Sequence, residues 1–81
     1  MLNNLIKKIK SSTYFKAYKK DSKYYSFLIL FIVNTVIGSA LFDLLNYRLM
    51  LSAILNILEN LKIEYDKEDI ENIFTTSLQE W

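Results

Sequence analysis

Between Lys23 and Asp43 the chain runs for nineteen residues, Tyr24 to Phe42, without a charge. As a helix rising ~1.5 Å per residue this run is roughly 28 Å long, close to the hydrocarbon thickness of a bilayer. Seven lysines (Lys7, Lys8, Lys10, Lys16, Lys19, Lys20 and Lys23) precede it, opposed only by Asp21, a net +6 over residues 1–42. From Asp43 onward eight carboxylates outweigh Arg48, Lys62 and Lys67, a net −5, so the overall +1 hides two strongly unlike halves. Basic flanks stay on the side from which a span inserts. The expectation is an all-α membrane protein with one transmembrane helix over residues 24–42, its N-terminus on the cytoplasmic or matrix side and its C-terminus across the membrane.

Composition narrows the chemistry. The 81 residues include no Cys and no His, which removes thiol nucleophiles, disulfides, imidazole bases and the usual zinc or haem ligands. The expectation is no enzyme, no cofactor, no metal and no catalytic residue. Asp66, Glu68, Asp69 and Glu71 crowd together, but an EF-hand needs Gly at its sixth position and Glu71 stands there. These carboxylates read instead as the start of a helix. With no Pro and a single Gly, only the polar stretches 11–23 and 62–66 are natural joints.

Three segments follow. Residues 1–23 form a basic segment in which Leu2, Leu5, Ile6 and Ile9 recur at helical spacing opposite lysines, as in a helix lying in a membrane interface, an import signal, or a short helix docked on a partner. Tyr24 and Tyr25, with Lys16, Lys19, Lys20 and Lys23, read as a headgroup-level belt touching anionic lipid such as cardiolipin. Nucleic acid and small-molecule substrates are not expected. Within 24–42, Asn34, Thr35, Gly38 and Ser39 share one helix face and make two pairs at four-residue spacing, a candidate interface for a partner helix. Phe27, Leu30, Phe31, Ile37 and Leu41 face lipid or apolar partners. The apolar pattern continues to about residue 61, where the helix either runs on, bends onto the surface near Asp43, or inserts. Residues 62–81 read as an acidic amphipathic helix outside the membrane, capped by Asp66, with Glu68, Asp69 and Glu71 at the positive end of its dipole. Ile70, Ile73, Phe74, Leu78 and Trp81 form its docking stripe.

The segment Lys19-Lys20-Asp21-Ser22-Lys23-Tyr24 and the later Ala40-Leu41-Phe42-Asp43 resemble the start and the exit of the span in the small single-pass subunit 9 family of the mitochondrial cytochrome bc1 complex. The resemblance implies a subunit of the mitochondrial inner membrane with its N-terminus in the matrix and its C-terminus in the intermembrane space, without a cofactor. The family's aromatic residue followed by Asn-x-Gly-Lys is missing, with Asn60-Leu61-Lys62 echoing its end. The functional expectation is therefore a non-catalytic accessory subunit of a multi-subunit respiratory complex of the electron-transport chain. It would support assembly by helix packing against other membrane subunits. The alternative is a holin-like or toxin-like membrane protein that self-associates and permeabilises the bilayer.

Overall fold

A computed structural model describes residues 2–38 and 47–80, and they are helical nearly throughout. Helix α1 covers Leu2–Lys10 and α2 Thr13–Lys20; a 3-10 turn at Ser22–Tyr24 leads into α3, Tyr25–Ile37. Helices α4, Tyr47–Asn60, and α5, Lys67–Glu80, complete the order. The apolar helices α3 and α4 pack on each other; α1 lies across both, α2 lies on α1 and α3, and α5 covers α3 and α4.

The joints follow from local chemistry. Ser12 secures the first one: its hydroxyl donates to the Ile9 carbonyl at 2.6 Å and accepts from the Phe15 amide at 3.2 Å, closing α1 and capping α2 with one group. Asp21 ends α2 and caps the 3-10 turn through the Lys23 amide at 3.0 Å. Helix α4 closes at Lys62, whose φ of 57° is left-handed. The Lys62 amide donates to the Glu59 carbonyl and the Ile63 amide to that of Leu58, with Leu58 and Ile63 both buried, which is the Schellman arrangement. Asp66 then accepts from the Glu68 amide at 3.0 Å, the cap its position in the sequence predicts.

The single-span expectation is overturned here. Among the described residues no helix is long and apolar enough to cross a membrane. Helix α3 has 13 residues, about 20 Å against a hydrocarbon core of about 30 Å, and Tyr24 belongs to the preceding turn. Its apolar side chains have another use: Leu28, Ile29, Ile32, Val33, Val36 and Ile37 are buried in one core. An all-round apolar helix is either a span or the centre of a small bundle, and hydropathy alone does not separate the two. This chain supplies the covering faces itself. Leu5 and Ile9 come from α1, Phe15 from α2, Met50, Ile54, Ile57 and Leu58 from α4, and Ile70 and Phe74 from α5. Nor do α3 and α4 form one long rod, since they lie against each other. The fold is a small all-helical unit with a shared core. The reading as a single-pass membrane subunit of the mitochondrial respiratory chain rested on that span and loses its basis with it. Asp43 and the suggested bend lie outside the described residues.

Candidate functional site: a lysine-rimmed aromatic corner

Helix α3 is apolar on both sides. Its inner side forms the core, while Phe27, Leu30, Phe31 and Asn34, spaced i, i+3, i+4 and i+7, make an outer stripe. Phe27 is 58% exposed and Leu30 44%. The outer side of such a helix is ordinarily polar. Helix α2 extends this surface rather than covering it. The Tyr14 ring stacks on Phe31 with centroids 4.9 Å apart, yet Tyr14 remains 46% exposed. Tyr24, from the 3-10 turn, leans toward Phe27 with centroids 6.3 Å apart. Thr13, Tyr14, Ala17, Tyr24 and Phe27 line an open hollow of about 270 Å³.

The lysines stand around this corner. Lys16 and Lys20 line a hollow that shares Thr13, Ala17 and Tyr24 with the first. Lys23 Nζ lies 5.3 Å from the centre of the Tyr24 ring and 3.7 Å from Asp21 Oδ2, the single ion pair among the described residues. Lys19 reaches back over the buried Phe15 ring at 5.3 Å. All four ammonium-bearing side chains are exposed. Tyr25, by contrast, is half-buried beside Tyr18, and burial raises its phenol above the ordinary range, with Asp69, Tyr18 and Asp66 acting in the same direction. The corner thus joins Lys16, Lys20, Lys23 and Tyr24 from the expected headgroup belt, while Tyr25 turns toward the start of α5.

The other expected sites fall differently. Asn34 donates from Nδ2 to the Leu30 carbonyl at 2.8 Å, and Thr35 from Oγ1 to that of Phe31 at 2.7 Å, so both turn polar groups back onto their own helix. Gly38 caps α3 and is exposed; Ser39 lies outside the described residues. Of the α5 stripe, Ile70 and Phe74 are wholly buried in this chain's own core, with the Phe74 ring 4.8 Å from that of Tyr47. Ile73 and Leu78 are half-buried against the same core, and Trp81 lies outside the described residues. Leu5 and Ile9 of α1 are likewise buried. Among the described residues no group of three or more carboxylates is placed to hold a metal ion.

Sequence reasoning missed the site's composite nature. It assigned Phe27, Leu30 and Phe31 to lipid or an apolar partner but did not bring Thr13, Tyr14 and Ala17 beside them. The available signal was the pair of aromatics at Tyr14 and Tyr18, one helical turn apart, just before an apolar helix that had to be covered. Two motifs carry the bc1-subunit resemblance. The first is the end of α2 with its 3-10 turn, and the second lies outside the described residues. Comparison with known proteins finds no matching family model, no matching curated protein and no matching solved structure.

Proposed function

We propose that this chain is a non-catalytic accessory protein, one that works by attaching to something larger through the corner formed by α2, the 3-10 turn and the outer stripe of α3. The observation that carries this reading is that outer stripe. Among the described residues most apolar side chains are enclosed, yet Tyr14, Phe27 and Leu30 stand uncovered side by side, and a contiguous apolar surface of this kind marks an interaction site. The residue inventory points the same way, because without Cys or His the sequence offers few groups for nucleophilic or acid–base work near neutral pH. The hollow itself is apolar, and Lys16 and Lys20 line the one beside it, an arrangement suited to holding a surface in place.

The test is fractionation of the native source by sedimentation, with the chain carrying Phe27→Asp and Leu30→Asp beside the unaltered one. The unaltered chain should sediment with larger material and the double variant should stay in the free pool. Far-UV circular dichroism should be the same for both, since neither side chain belongs to the core. An unaltered chain found only in the free pool would overturn the reading.

A further inference from the structure

We infer that the occupant of this corner is an anionic lipid surface, on which the protein lies peripherally, with Tyr14, Tyr24 and Phe27 entering the headgroup layer and Lys16, Lys20 and Lys23 meeting the phosphates. The inference rests on the association reading above and names its partner.

Four observations select lipid over a protein partner. The first is residue type. Every cation at the corner is a lysine, and residues 1–42 contain no arginine. Lysine is depleted where proteins meet proteins, whereas arginine, with its rigid two-pronged donor, is enriched. An ammonium is a compact charge on a flexible stem, which matches mobile headgroups. The second is layout. The aromatic side chains are central and the lysines peripheral, so rings can enter at headgroup depth while the ammonium groups stay at the level of phosphate. The third is sign. Asp21 is the only carboxylate in the N-terminal half, and it is engaged with Lys23. Lys7, Lys8 and Lys10 on the adjoining α1 are exposed and add to the same positive field. The fourth is orientation. Helix α5 borders the stripe at its Leu30 end, where Asn72, Ile73, Thr76 and Glu80 share a hollow with Leu30, so a negatively charged plane draws the lysine end nearest and tilts the acidic helix away.

The proposed contact requires no span. Rings at the level of the headgroups, aided by several lysines, give reversible attachment that depends on anionic lipid and weakens with salt.

The experiment is co-sedimentation of the purified full chain with vesicles of phosphatidylcholine alone and of phosphatidylcholine mixed with phosphatidylglycerol. Binding should appear with the mixed vesicles and be negligible with the neutral ones. Raising salt from about 0.1 to about 1 M, which shortens the Debye length from ~10 to ~3 Å, should release the protein. Lys16→Gln with Lys20→Gln should weaken partitioning roughly 25-fold, about fivefold for each lysine, while Lys16→Arg with Lys20→Arg should retain it. Phe27→Ala should lose about tenfold. Equal binding to both vesicle types, or an unchanged affinity for the Lys→Gln pair, overturns the lipid assignment. So does a concentration-dependent dimer in vesicle-free sedimentation velocity that Phe27→Asp abolishes, because the face would then belong to a second copy. If vesicles fail to bind while the chain still sediments with larger material from the native source, lipid is excluded and the association reading stands. Failure of both removes both.

Discussion

Helices α2 and α5 are built alike and used differently. Each is short and amphipathic, carries charge mainly of one sign, and packs beside the apolar α3. Helix α5 brings Ile70 and Phe74 entirely inside, and the Tyr47 hydroxyl meets that of Thr75 at 3.2 Å across its edge. Helix α2 buries Phe15 but leaves Tyr14 outside, stacked on the equally unsealed Phe31 stripe. The lesson is that completeness of burial, rather than amphipathicity, separates a helix that holds a fold together from one that also presents a surface. A stripe seen in sequence says that something will cover it. Only packing says whether the cover is the chain itself.

The sharpest way to break this contrast is to truncate one aromatic in each region. Phe74→Ala should cost about 3–5 kcal/mol of stability, because it opens a cavity under α5. In a chain of this length that is enough to threaten folding at ordinary temperatures. Phe27→Ala should stay within about 0.5 kcal/mol, as an exposed substitution does. Urea titration of both variants checks the pair, and similar losses would erase the distinction. Next in size is Ser12→Ala, which removes the group shared by the end of α1 and the start of α2. About 1 kcal/mol should go, seen as a melting temperature lower by roughly 4–8 °C.

Alkali probes the seam between the halves. The Tyr25 phenol sits above its ordinary pKa because of burial, reinforced by Asp69, Tyr18 and Asp66. Its neutral form is therefore the one the fold prefers. The resulting stability is complete below the unfolded pKa near 10 and is lost as pH rises through the higher folded value. Tyr25→Phe should flatten that alkaline decline in melts recorded across it. A decline of unchanged slope in the variant would assign the effect to other tyrosines, with Tyr65, itself raised by burial and by its hydrogen bond to Glu59, next in line. The smallest expected effect is at Lys62. Glycine tolerates the left-handed backbone without a Cβ penalty, so Lys62→Gly should raise the denaturation midpoint by an equivalent of about 0.5 kcal/mol.

Much of the helical content was legible. The stripes of α1 and α5, the Asp66 cap and the joint at 62–66 can be read from spacing, whereas the stretch 11–23, read as a joint, carries α2 over Thr13–Lys20. Residues 24–42 could not be placed, for a physical reason: a bilayer and a protein core select the same side chains. What decided the matter was the apolar area that other parts of the chain could bring to α3, from Ile9, Ile54 and Phe74 among others. None of that is local to the run. Asn34 and Thr35 carry a related ambiguity, since polar side chains on an apolar helix have two outlets, a neighbouring helix or the carbonyl four residues back, and here each donates to the second. The candidate corner was half legible: its lysines and Tyr24 were marked, while Tyr14 joined Phe31 only through the turn at Asp21.

The arrangement of charge has a consequence for how the molecule behaves before it touches anything. With lysines gathered on α1 and α2, carboxylates on and around α5, and one ion pair among the described residues, little cancels locally. The net +1 then says almost nothing about the potential at either end. Such a molecule is in effect a small electric compass. In dilute salt it should be retained by cation- and anion-exchange resins alike, gripping each by a different end, and it would approach a charged plane already aligned.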